Sequence, residues 1–170
     1  MCHEVSRFNH SCLQNVAHAF AEPYERIYAV RDIKAGEELC TAYCNVFCAT
    51  AQRQQRLKFA YGFECACPVC ALPPKERSLS DRRRSKYSSL DERVAEVGGF
   101  NQKQGLEVVE EIFELFKQEN LVLPALVSRH AYDAFQLAAP LGNLALAKKW
   151  IQRAYDASLV ENGPDFSRTQ

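Results

Sequence analysis

No segment of this 170-residue sequence has the pattern of a membrane span or a secretory leader. No apolar run approaches the roughly 20 residues that a membrane span requires. The charged, apolar and small-residue succession of a secretory leader is also missing. Charge of one sign is not in excess either. Lys and Arg number 21 against 21 Asp and Glu, so no net field draws the chain to nucleic acid or to an anionic surface. Cysteine is missing from the last 100 residues, because all eight lie in the first 70. Disulfides therefore cannot staple the whole chain. Neither paired catalytic carboxylates nor a Ser-His-Asp set stands out. Together these absences lead to the expectation of an intracellular protein, nuclear or cytoplasmic, with reduced cysteines.

The first 70 residues read as mixed β and loop. Ile27, Tyr28 and Val30 are strand formers, and Glu22-Pro23-Tyr24-Glu25 reads as a turn between two strands. A second turn is expected over 32–37, with Gly36 free to take a positive φ, and a short strand over 39–43. Residues 51–61 are rich in Gln, Arg and Leu and predict a helix closed by Gly62. Next comes Cys65-Ala66-Cys67-Pro68-Val69-Cys70, a loop whose three thiols are too closely spaced for separate bridges and suit a metal ion. Structural zinc takes four nitrogen or sulfur ligands, so a fourth must come from a distance. On spacing alone Cys2, His3, His10, Cys12, Cys40, Cys44 and Cys48 are all candidates. Cys40, Cys44 and Cys48 recur at gaps of four, which is not an iron–sulfur spacing, and they read as buried structural thiols.

Residues 73–89 hold two prolines, five serines and the run Arg82-Arg83-Arg84, with little to bury, and read as a solvated linker. That run is the only feature pointing toward nucleic acid. Beyond it, Leu106, Val109, Ile112, Phe113 and Phe116 form an apolar stripe within 105–120. Segments 125–139 and 144–159 make a further helical pair joined by Pro140-Leu141-Gly142-Asn143. Their small and aromatic residues loosely resemble a tetratricopeptide-type hairpin, with an antiparallel bundle as the plainer alternative.

Three motifs carry a more specific resemblance: Asn9-His10-Ser11-Cys12, then Gly36-Glu37-Glu38-Leu39 with Tyr43 four residues on, then the cysteine loop. Their order resembles the C-terminal half of SET-domain protein lysine methyltransferases, of the SMYD-type and fungal SET branch. The resemblance implies an α+β fold: a partial SET β-fold with a post-SET zinc loop, followed by an α-helical, tetratricopeptide-like domain. The divisions expected are 1–49 (SET), 50–72 (helix and zinc loop), 73–89 (linker) and 90–170 (helical). It further implies S-adenosylmethionine as cofactor and a protein lysine, on a histone or a non-histone protein, as substrate. Asn9, His10 and Phe63 would hold the cofactor, Tyr43 would stand at the transferring methyl, and Tyr61 would line the lysine channel. Cys12 would complete the zinc set with Cys65, Cys67 and Cys70. Gln14 replaces a proline that the family commonly has, while Asn15 matches.

SET proteins carry a glycine-rich cofactor segment and several strands ahead of Asn-His-Ser-Cys, and this sequence starts almost at that motif. The expectation is thus an N-terminally truncated methyltransferase-like protein, inactive alone and binding cofactor weakly or not at all. The alternative is a non-catalytic zinc-binding module that meets a protein partner through its helices.

Overall fold

The computed structural model describes residues 5–21 and 24–162. A 3-10 turn, Val5–Arg7, leads into β1 (Asn9–His10), β2 (Val16–Ala21), β3 (Tyr24–Ala29) and β4 (Cys40–Thr41). Five helices follow: α1 (Thr50–Tyr61), α2 (Pro74–Gly98), α3 (Gln102–Gln118), α4 (Pro124–Ala138) and α5 (Leu144–Asn162). The class is the α+β expected, with helix predominating.

The strands make two small sheets. β2 and β3 form an antiparallel hairpin in register from Val16 opposite Ala29 to Ala21 opposite Tyr24. The turn expected at 22–25 falls partly on residues 22 and 23, outside the described ones, and Tyr24 and Glu25 already belong to β3. β1 and β4 pair in parallel, Asn9 with Cys40 and His10 with Thr41. The strand expected over 39–43 is thus only two residues long. It ends because the Tyr43 N–H bonds to the His10 ring at 3.0 Å rather than to a neighbouring strand.

Asn15 is buried and holds these pieces together. Its side chain donates to the Glu38 carbonyl at 2.8 Å and accepts from the Cys40 N–H at 2.8 Å. Its own N–H reaches the Cys40 carbonyl at 3.1 Å, while its carbonyl takes the Val30 N–H at 3.0 Å. One amide therefore fixes the 37–40 segment against the start of β2.

The segment expected as a linker over 73–89 is instead the first two-thirds of α2. Ser80, Arg84, Tyr87, Leu90 and Val94 form its buried stripe. Two of these five, Ser80 and Arg84, are polar, which is why the periodicity escapes a hydrophobic reading. Pro74 sits at the helix start, where a missing N–H costs nothing. Asp81 of the same helix caps α1 from afar, accepting from the Thr50 N–H at 2.8 Å and its hydroxyl at 2.7 Å.

Helices α2 and α3, then α4 and α5, form two successive hairpins. Gly98 and Gly105 let them close: a Cβ on Gly105 would lie 3.0 Å from the Leu137 side chain and 3.1 Å from the Gly98 backbone. Phe113 stacks on Trp150 at 5.3 Å between ring centres. One hydrophobic cluster runs from Cys12, Phe47 and Leu57 through Tyr87 and Leu90 to Phe116 and Trp150. Phe47 lies flat on Tyr87, with centroids 3.8 Å apart, which joins the strand region to the helices.

Candidate metal centre and active site

Helix α1 delivers the cysteine loop. Gly62 adopts φ 77° at its end and returns its N–H to the Lys58 carbonyl at 3.0 Å, turning the chain into 63–73. The Gln54 amide grips Cys65 on both sides, donating to its carbonyl and accepting its N–H, each at 2.7 Å. Cys12 arrives from the end of β1. The sulfurs of Cys12, Cys65, Cys67 and Cys70 all lie within 4.8 Å of one another. Cys12 and Cys70 are 3.7 Å apart. Tetrahedral zinc with sulfur at about 2.3 Å needs sulfur–sulfur edges of about 3.8 Å, so the donor set fits zinc. Cys40, Cys44 and Cys48 do not join this group, and Cys2 and His3 lie outside the described residues.

Electrostatics favour a cation here. Hydrogen bonds from Cys12 and Cys70 lower the Cys67 thiol from its ordinary pKa. Its bond to Cys67 raises Cys12 in turn, and burial pushes Cys65 up to about 12. Ionised thiols packed this closely repel one another, and a dication offsets that repulsion. A tetrathiolate zinc carries two residual negative charges, and the structure buries a cation beside it. Arg53 is fully buried, with Nη2 3.9 Å from Cys70 Sγ and 2.9 Å from the Thr50 hydroxyl. Its Nη1 donates to the Cys48 carbonyl.

The residues expected at the cofactor and the lysine channel come together on one side of this centre. Tyr43 stands 4.8 Å from Tyr61, 5.5 Å from His10 and 6.4 Å from Phe63, between ring centres. His10 and Phe63 are 6.2 Å apart. The Tyr43 hydroxyl donates to the Phe8 carbonyl. His10 is buried, and burial depresses its pKa, keeping the ring neutral. Asn9 is exposed and donates to the Glu38 carboxylate at 2.5 Å. Tyr61 is 54% exposed, so this aromatic group opens to solvent.

Arginines that read as solvated in the sequence turn out to be structural. Glu119, at the end of α3, accepts from Ser80 Oγ at 2.5 Å, Arg83 Nε at 2.5 Å and Arg84 Nε at 2.7 Å. Arg84 then reaches across to the carbonyls of Cys12 at 3.2 Å and Val46 at 3.3 Å. Two members of the Arg82–Arg84 run are therefore spent on Glu119. Neither Arg53 nor Arg84 had a signal in the sequence. Asn15 had one, because it closes the Asn-His-Ser-Cys-x-x-Asn motif.

His10 of the β1–β4 pair thus touches both the four-thiol cluster and Tyr43. The SET domain sequence pattern matches residues 1–44. The chain is 30% identical to the histone-lysine N-methyltransferase set5 of Schizosaccharomyces pombe over 166 residues, 96% of this chain and 52% of that protein. It is 33% identical over 81 residues to human N-lysine methyltransferase SMYD2, covering 48% of this chain and 19% of SMYD2. With human histone-lysine N-methyltransferase SMYD3 it shares 30% identity over 93 residues, 55% of this chain and 22% of SMYD3. The chain is thus related to SET-domain lysine methyltransferases of the SMYD-like kind, and it spans about half the length, or less, of these relatives. Among the described residues no helix is long and apolar enough to cross a membrane.

Proposed function

We propose that these residues form the C-terminal wall of the active site of an S-adenosylmethionine-dependent protein lysine methyltransferase. Asn9, His10 and Phe63 face the cofactor, Tyr43 stands at the transferring methyl, Tyr61 lines the lysine channel, and Cys12, Cys65, Cys67 and Cys70 hold a structural zinc. The observation that carries this reading is the meeting of His10, Tyr43, Tyr61 and Phe63 beside the four-thiol cluster, with Tyr43 4.8–6.4 Å from each of the other three ring centres. The same resemblance supports a protein substrate, a histone among the candidates.

When bound, S-adenosylmethionine supplies an electrophilic methyl on a sulfonium sulfur. The protein's task is alignment: a neutral lysine amine must face that methyl in line, with water kept out. Tyr43 suits this, because its hydroxyl can orient the amine while its ring walls a narrow channel with Tyr61. Cys12, two residues after His10, would be held by a zinc ion against the loop that carries Phe63.

The 170 residues alone should bind cofactor weakly and turn over negligibly, since the exposed faces of Asn9 and Tyr61 leave a ligand half in water. A misplacement of about 1 Å is enough to cost on the order of a hundredfold in rate. Calorimetry with S-adenosylmethionine tests the first point, and micromolar binding by the isolated chain would overturn it. Fusion to the N-terminal SET sequence of the set5 relative tests the second. The fusion should methylate a lysine peptide, and Tyr43→Phe should reduce the rate about a hundredfold, as misalignment does. A fusion that binds cofactor yet transfers no methyl would favour the zinc-binding interaction module instead.

A further inference from the structure

The His10 ring is held from two opposite sides. Its Nδ1 accepts the backbone N–H of Tyr43 at 3.0 Å, and its Nε2 lies 3.4 Å from Cys12 Sγ. A backbone N–H can only donate, so Nδ1 carries no proton. A neutral imidazole always keeps one N–H, which therefore sits on Nε2 and points at the Cys12 sulfur. The ring is buried, so this N–H has to be satisfied inside the protein. A thiol is a poor acceptor. A metal-bound thiolate, with residual negative charge on sulfur, is a good one. Both nitrogens are thus engaged within the protein, and what His10 has left for a cofactor is its backbone.

We propose that His10 is a positioning residue that joins the metal centre to Tyr43. The metal-bound Cys12 thiolate holds Nε2–H, the fixed ring holds the Tyr43 N–H, and the filled centre thereby fixes the backbone that carries the tyrosine, whose hydroxyl the Phe8 carbonyl holds in turn. The inference rests on the zinc reading of the four-cysteine cluster. Outer partners of this kind orient a metal's ligands and are in turn oriented by them. Tyr43 lies at the point where strand pairing has stopped, one residue past Ala42 and two past β4, so this link replaces a sheet hydrogen bond. Loss of the metal turns Cys12 into a weak acceptor and frees the ring to rotate. The channel wall then loosens while the helical core remains packed.

The test uses the 15N-labelled 170-residue chain, first with its zinc counted. Less than half an equivalent would remove the metal reading and this proposal with it. With zinc in place, long-range proton–nitrogen spectra should show the Nε2–H tautomer of His10. In the 113Cd-substituted protein, that proton should couple to the metal through Cys12. Amide exchange at Tyr43 should quicken at least about tenfold on chelation, on the scale that loss of an outer partner typically costs a metal site. His10→Ala with metal retained should show the same acceleration, while the amide of buried Ile112 stays protected in both. An Nδ1–H tautomer, or Tyr43 exchange that ignores both chelation and His10→Ala, would overturn the proposal with zinc binding intact. If His10→Ala does not fold, the tautomer and the cadmium coupling in the unaltered chain decide.

Discussion

Replacing Glu119 by glutamine keeps the side chain's volume and removes its charge, which makes it a clean probe of the polar stripe in α2. In the native protein Glu119 is 3% exposed and Arg84 wholly buried. The carboxylate accepts from three donors, on Ser80, Arg83 and Arg84. Glutamine leaves the Arg84 cation buried with only neutral acceptors to face, the new amide oxygen and the carbonyls of Cys12 and Val46. Breaking a buried ion pair from one side costs about 3–5 kcal/mol. The Arg83 contact adds little, since that side chain is a third exposed and screened. Against a typical total of about 5–15 kcal/mol, the loss is a large fraction of the stability. With a urea slope of about 2 kcal/mol per molar, the unfolding midpoint should fall by about 1.5–2.5 M at unchanged slope, read by circular dichroism. The pH dependence carries the same signature. Burial alone would raise the Glu119 pKa, but the bonds from Ser80, Arg84 and Arg83 outweigh it and hold it below the ordinary carboxylate value. Its contribution is therefore present above that ordinary value and is lost as pH falls through the depressed one. Glu119→Gln should flatten this acid arm. A midpoint within about 0.3 M of the native protein, at equal slope, would refute the reasoning, because that is under 1 kcal/mol.

Two further outcomes follow from neighbouring features. Arg53→Met removes the buried cation beside Cys70 while filling its volume. Zinc should leave for a chelator about 10–100-fold faster, and an unchanged release rate would mean that Arg53 does not offset the centre's charge. Chymotrypsin should cut after Phe100, which is 93% exposed in the turn between α2 and α3, well before Tyr87, buried in the middle of α2. Early cleavage within 74–98 would restore the linker reading.

The parts of this molecule that were legible in its sequence are those where chemistry is local. Three thiols within six residues announce a metal loop, Gly62 announces a helix end, and Leu106 to Phe116 announces a buried helical face. The motif resemblance then brought Cys12 to that loop, a partner that spacing could not single out from six others. What stayed hidden was burial decided by a distant counter-charge. Ser80 and Arg84 occupy core positions of α2 because Glu119 stands 35 residues after Arg84 to meet them. Read alone, 73–89 has too little apolar surface to pack, and only the folded chain supplies the acceptor. Arg53 is the same case, since its environment is made by Thr50, Cys48 and a sulfur from the next loop. The two-residue β4 is a related case, because His10 takes the N–H that would have extended it.

The metal count of the purified protein tests the account's centre most directly, because the thiol cluster fastens Cys12 and, through it, the Asn-His motif to the loop bearing Phe63. Elemental analysis should find one zinc per chain, lost together with thermal stability in Cys67→Ser. Less than half an equivalent in the native chain, or a full equivalent that survives Cys67→Ser, would contradict it.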